Sequence, residues 1–149
     1  MNILFLCVGN SGRSQIAEAL AKDMLPKDFD IRSAGSIPAD KVHKDAIQVM
    51  SDVGIDISKN TTKSIESLQK NFISNLDYVI TLCVEEVCPV VPEATKIIHW
   101  PNEDPDNDNF SDIQSKNAFI KTREDIFNLL KKFLIEENFQ PNKDIYLYL

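Results

Sequence analysis

Asn2-Ile3-Leu4-Phe5-Leu6-Cys7-Val8-Gly9-Asn10-Ser11-Gly12-Arg13-Ser14-Gln15-Ile16-Ala17 is the stretch on which the fold of this chain turns. Asn2 to Leu6 is a short apolar run, as expected of a buried strand. From Ser14 onward the apolar period changes. Ile16, Ala17, Leu20, Ala21 and Met24 recur at helical spacing, and Pro26 ends that helix. The loop between them, Val8 to Gly12, must turn tightly, and Gly9 and Gly12 are expected to supply the unusual dihedrals. A strand feeding such a loop into a helix start can aim successive backbone N–H groups at one point, at the positive end of the helix dipole. An oxyanion fits there.

Outward from this unit, Phe29 to Ala34 reads as a second strand closed by Gly35. Val42 to Val53 is helical, with Ala46, Ile47, Met50 and Val53 on one face and Gly54 placed as its C′ residue. Ser64 to Phe72 reads as a short helix. Asp77 to Leu82 and Lys96 to Trp100 are the third and fourth strands, separated by the loop Cys83 to Pro92. A polar loop runs through Asn109. Ser111 to about Glu137 is a long amphipathic helix with Phe119, Ile126, Leu129, Leu130 and Phe133 among its apolar positions. This alternation predicts an α/β fold, a four-stranded parallel sheet with helices on both faces and right-handed crossovers. Ligands of such sheets sit beyond the carboxyl ends of the strands. The loops after strands 1, 3 and 4 carry Cys7, Cys83 and Asp104, so three chemically capable groups are expected at one edge. Residues 1–137 read as one domain. The tail 138–149, with apolar Ile145-Tyr146-Leu147-Tyr148-Leu149, has no assigned role; an added strand and a docking segment are both open.

Composition narrows the function classes. Apolar content of 43% and charged content of 26% are those of a soluble globular protein. No apolar run reaches the roughly 20 residues that span a bilayer. The N-terminus lacks the basic region and cleavage site of a signal peptide, so the cytoplasm is the expected compartment. A net charge of −7 argues against a nucleic-acid partner, which needs a basic footprint. It leaves room for a small anion, because N–H groups and one Arg can hold an anion locally. Three cysteines, Cys7, Cys83 and Cys88, cannot all pair. Transient redox chemistry, metal binding and plain burial remain open for them.

The loop residues suit attack on a tetrahedral oxyanion. Arg13 presents a planar fork to two oxygens, which Lys cannot do. Cys7 at the mouth sits in a positive field that favours the thiolate. Ser14 can donate to that sulfur, and Asn10 can brace the loop. The oxyanion-binding set is Val8, Gly9, Asn10, Ser11, Gly12, Arg13 and Ser14. The competing reading makes Cys7 a small buried residue at a strand end and Arg13 a surface helix residue.

Cys7-Val8-Gly9-Asn10-Ser11-Gly12-Arg13-Ser14-Gln15 resembles the active-site loop of low-molecular-weight protein tyrosine phosphatases, and more closely that of the arsenate reductases sharing their fold. The resemblance extends from Asn2 to about Phe133 through Ser33-Ala34-Gly35, Gly54-Ile55-Asp56-Ile57-Ser58, Thr81-Leu82-Cys83, Cys88-Pro89 and His99-Trp100 followed by Asp104-Pro105. It implies a sheet of phosphotyrosine protein phosphatase I type, a flavodoxin-like three-layer arrangement. It also implies that Asp104 is the general acid, that Cys7, Cys83 and Cys88 relay a disulfide, and that thioredoxin is the electron donor, with a glutathione-based system still open. No cofactor and no metal are implied, and the chain is expected to be a monomer.

A phosphatase would need Cys7 alone, and Cys83 and Cys88 would then be incidental. A redox sensor would use the thiols without turning over a substrate. A zinc site lacks a second ligand pair. Asp106-Asn107-Asp108 after Pro105 replaces the aromatic residues that grip a phenol ring in the tyrosine phosphatases, which favours arsenate over phosphotyrosine. Some relatives bind a monovalent cation at positions matching Asn10, Glu18, Ser33 and an acidic residue; the last falls on Lys63, whose ammonium is expected to replace the ion and pair with Glu18. His43 is expected at a helix start on the surface, His99 in a packing role, and Trp100 in the core or at the site's rim.

Overall fold

The computed structural model describes residues 1–84, 92–93 and 95–142. Cys88 and most of the expected loop Cys83 to Pro92 lie outside the described residues, as do residues 143–149 of the tail.

The first apolar run is β1, Asn2–Cys7, and it is the centre of the sheet. Its neighbours are β2, Asp30–Gly35, and β3, Tyr78–Thr81; β4, Lys96–His99, pairs on the far side of β3. All pairings are parallel, and the order is β2-β1-β3-β4. Phe5 stands level with Ser33 of β2 and Ile80 of β3. The chain therefore reverses its direction of winding at β1, and the carboxyl ends of β1 and β3 open a crevice there. This is the α/β, four-stranded parallel architecture expected from the alternating pattern.

Side-chain alternation along β1 divides the interior in two. Ile3 and Phe5 point into the larger core, with Ile16, Leu20 and Met24 of α1 (Arg13–Met24), Val49 and Met50 of α2 (Lys44–Ser51), and Phe119, Ile126 and Leu130 of α4 (Asp112–Glu136). Leu4 and Leu6 point the other way, against Ala34, Val79, Leu76 and Phe72 of α3 (Lys70–Ser74). Among the described residues, three helices thus cover one face and one short helix the other.

Two local details differ from the sequence expectation or refine it. The stretch expected as one helix over Ser64 to Phe72 is a 3-10 turn at Ile65–Ser67, an extended Leu68 and Gln69, and then α3. At the end of α2, Gly54 takes φ 83°, its N–H donates to the Ser51 carbonyl, and the Ile55 N–H donates to that of Met50. That pair of bonds is a Schellman ending with Gly54 at C′, as read from the sequence. Beyond α4, Phe139 packs edge-on against Phe29 and Asn142 bonds the Met24 and Asp23 carbonyls. Among the described residues no helix is long and apolar enough to cross a membrane.

Candidate active site

The loop between β1 and α1 is held from outside through its carbonyls. Those of Cys7, Val8, Gly9 and Ser11 accept from the N–H groups of Ser36 (3.3 Å), Ile37 (2.9 Å), Ala39 (2.9 Å) and His43 (2.9 Å). The Asn10 carbonyl accepts from Gln15 Nε2 at 3.1 Å, and that of Gly12 from the Ile16 N–H at 3.0 Å. In a trans peptide the N–H points opposite to its C=O. With the carbonyls of residues 7–12 turned outward, the N–H groups of residues 8–13 turn inward around one hollow. The Asn10 N–H, directed at Cys7 Sγ from 3.2 Å, agrees with this geometry.

The loop bends at Asn10, with φ 50°, and at Gly12, whose φ of −135° and ψ of −86° lie outside the regular regions; Gly9 has no positive φ. Asparagine tolerates the left-handed region because its short side chain bonds locally. Asn10 is fully buried, and its Oδ1 accepts from the Lys63 N–H (2.9 Å) and Gln15 Nε2 (3.1 Å). Its Nδ2 donates to Ser14 Oγ (2.8 Å) and Ser33 Oγ (3.0 Å). Ser14 Oγ lies 2.8 Å from Cys7 Sγ, and because it already accepts from Asn10 its hydrogen is available to the sulfur. The brace assigned to Asn10 and the donor role assigned to Ser14 are thus both present as contacts. Gly12 also serves close packing. A Cβ there would sit 3.2 Å from the Phe119 ring and 3.9 Å from Pro105.

Arg13 is buried, and its Nη1 donates to the Asn102 carbonyl at 2.9 Å while Nη2 stands 3.6 Å from Asp104 Oδ2. Asp104 itself is more than half exposed, and its Oδ1 accepts from the Asp106 N–H at 3.0 Å. Cys83 is buried at the end of β3. Burial pushes its thiol up from the ordinary cysteine value, while the Arg13 guanidinium and the Val8 N–H pull it down. The charges of Cys7 and Asp104 also act on it. Cys7 and Cys83 are both free thiols. One edge of the sheet therefore joins Cys7, Arg13, Asp104 and Cys83, and Cys88 lies outside the described residues.

Glu18 does not take Lys63 as its partner. Its carboxylate accepts from Lys22 Nζ at 2.7 Å, one helical turn on, and from the Ser33 hydroxyl. Lys63 Nζ is 3.2 Å from the Thr61 carbonyl, and the residue's contribution to the loop is its backbone N–H on Asn10. Among the described residues no group of three His, Cys, Asp or Glu side chains is arranged to hold a metal ion. His43 is at a helix start, largely covered, with its ring stacked on Phe119 at 4.5 Å. His99 Nδ1 is 2.6 Å from Thr81 Oγ1, and Trp100 is buried against Phe5 and Phe133.

Three contributors have no role in the sequence reading. Gln15 is fully buried and bonds Asn10 twice and the Thr61 carbonyl once. Asn102 anchors Arg13 through a backbone carbonyl, which side-chain chemistry does not reveal. Gly35 leaves space for the loop. A Cβ there would be 2.4 Å from the Val8 carbonyl oxygen and 2.9 Å from the Asn10 nitrogen. A glycine closing the strand beside the nucleophile's strand was the available signal.

Known proteins share the sequence pattern and fold of this chain. The arsenate reductase of Bacillus subtilis (strain 168) is 39% identical over 133 residues, 88% of this chain and 93% of that protein. A solved arsenate reductase in the phosphate-binding state matches with a TM-score of 0.73 and 33% identity, over 91% of this chain and 98% of that one. The thioredoxin-dependent arsenate reductase of Corynebacterium glutamicum gives a TM-score of 0.66 and 32% identity over 90% of this chain. This chain covers 62% of that longer protein. The family model described as low molecular weight phosphotyrosine protein phosphatase matches residues 2–140, and the chain belongs to that family.

Proposed function

We propose that the protein reduces arsenate to arsenite, taking its electrons from its own thiols and then from thioredoxin. The observation that carries this reading is the second thiol, Cys83, buried just past the carboxyl end of β3, the parallel neighbour of the strand that ends at Cys7. Hydrolysis of a phosphoester has no use for it, whereas a reduction does.

The inward N–H groups of residues 8–13 and the Arg13 guanidinium hold the oxyanion. The Cys7 thiolate forms an S–As bond, and one oxygen leaves as water with a proton from Asp104. The Cys83 thiolate then attacks the Cys7 sulfur. The S–As pair of electrons stays on arsenic, which departs as arsenite, and the two cysteines become a disulfide. Cys88 attacks Cys83, freeing Cys7, and the Cys83–Cys88 disulfide passes to thioredoxin by thiol–disulfide exchange. A reducing cytoplasm suits this cycle, and a monomer suffices for it.

Turnover of arsenate with thioredoxin, its reductase and NADPH, run beside hydrolysis of p-nitrophenyl phosphate, tests the reading. Cys7→Ser abolishes both reactions. Cys83→Ser abolishes arsenate turnover and leaves phosphate ester hydrolysis within a few-fold of wild type. A wild-type protein that hydrolyses the ester and never yields arsenite is a phosphatase, and the proposal fails.

A further inference from the structure

Asp104 is largely exposed and stands on a loop rich in Pro, Asn and Asp, yet its role demands a fixed position over the anion loop. Arg13 Nη2, 3.6 Å from Asp104 Oδ2, is one tether. The structure has a second link, built on His43.

The His43 N–H donates to the Ser11 carbonyl of the anion loop at 2.9 Å. Its Nδ1 accepts from the Asp45 N–H at 3.0 Å and so caps α2. An accepting Nδ1 places the neutral ring's hydrogen on Nε2. Nε2 faces Asp106 Oδ1 at 3.5 Å, and the Asp106 N–H in turn donates to Asp104 Oδ1 at 3.0 Å. The ring cannot swing away, because it is stacked on Phe119 with 28° between planes. The same Phe119 ring lies under Gly12 of the anion loop. The remaining charged group facing the imidazole is Asp45, with Oδ2 at 4.0 Å from Nδ1, and that carboxylate is occupied by the Ser115 hydroxyl at 2.5 Å.

We infer that His43 is a positioning residue: through Asp106 it latches the acid loop to the anion loop and fixes Asp104 over the oxyanion. The inference rests on the reading of Asp104 as the proton donor. The rigid half of the latch is the imidazole, held at its backbone, at Nδ1 and across its face. The other half is the acid loop, anchored upstream at Asn102 and linked to the imidazole at Asp106 and, through it, at Asp104. A misplacement of about 1 Å in such a group can cost up to about a hundredfold in rate.

His43→Asn keeps a side-chain cap for α2 but is too short to reach Asp106. Asp106→Ala removes the acceptor without touching α2, and Asp106→Asn keeps an acceptor oxygen. The expected result in arsenate turnover is a kcat lower by about five- to twentyfold for His43→Asn and for Asp106→Ala, with KM within about twofold. Asp106→Asn regains most of the loss. The double variant His43→Asn/Asp106→Ala is no slower than the worse single, as two ends of one link require. Hydrogen exchange of the amides of residues 102–109 rises in both single variants, while that of α1 is unchanged. Losses that multiply in the double variant, or acid-loop exchange equal to wild type in both singles, overturn the inference. The exchange arm stands even if wild type fails to reduce arsenate, so a failed latch and a failed functional reading give different results.

Discussion

Asn10 carries more of the site than any other single residue. Its backbone bends the loop and points an N–H at the nucleophile, and its amide ties together Ser14, Ser33, Gln15 and the Lys63 backbone. Loop glycines are the usual expectation for a tight turn; Gly12 meets it with φ −135° and ψ −86°, while the left-handed residue of the loop is Asn10. Asn10 also bends because its amide has donors and acceptors waiting, nearby at Ser14 and Gln15 and far away in sequence at Ser33 and Lys63. Gly35 is the clearest case of a residue whose importance is its lack of a side chain. For Gly35→Ala we expect a destabilisation of about 1–3 kcal/mol from overpacking, together with loss of oxyanion binding. Urea unfolding and phosphate titration check the two effects. A variant as stable as wild type that still binds phosphate would mean the loop shifts freely, against the tight outside bracing described above.

At the scale of elements, the four strands and the long helix were legible because each has a strong period of its own. β1 and β3 are continuous apolar runs, and α4 alternates at helical spacing beneath a Ser111 capping box. The Ser64 to Phe72 region was not legible as it stands. Leu68 and Phe72 both pack on the second face of the sheet, and meeting it takes an extended break between a 3-10 turn and a short helix. Local periodicity carries no record of that distant surface. The end of α4 is fixed by another long-range tie, in which the Tyr78 hydroxyl donates to Glu137 Oε2 at 2.5 Å and Lys96 Nζ lies 3.4 Å away. The Tyr78 bond chiefly holds the Glu137 carboxyl below the usual carboxylate range, with Lys96 adding to it against the opposing effect of burial. A depressed folded value stabilises the fold above the unfolded value of about 4.3, and that contribution disappears as pH falls through the folded value. Glu137→Gln is therefore expected to be less stable than wild type near neutral pH. The difference in unfolding midpoint should shrink on acidification from about pH 6 to about pH 3. A difference independent of pH would assign the contact to packing alone.

For the molecule as a whole, the parallel sheet brings Cys7 and Arg13 of one loop, Cys83 and Asp104 from three separated parts of the chain to one edge. That convergence followed from the strand order, because loops after parallel strands share a side. The inner bracing of the site by Gln15, Asn102 and Gly35 did not, because the partner of the Gln15 amide at Thr61, the Asn102 carbonyl on Arg13 and the space left by Gly35 are set by contacts between distant segments. The central claim is that Cys83 takes over the Cys7 sulfur while arsenic leaves reduced, and that Cys88 then resolves the pair. The most direct measurement is a single-turnover reaction of reduced Cys88→Ser protein with excess arsenate, followed by arsenite quantification and peptide mapping without reduction. The expected result is about one arsenite per protein, no further turnover with thioredoxin, and a Cys7–Cys83 disulfide. Release of no arsenite while wild type turns over, or one equivalent of arsenite with Cys7 and Cys83 still free, would contradict it.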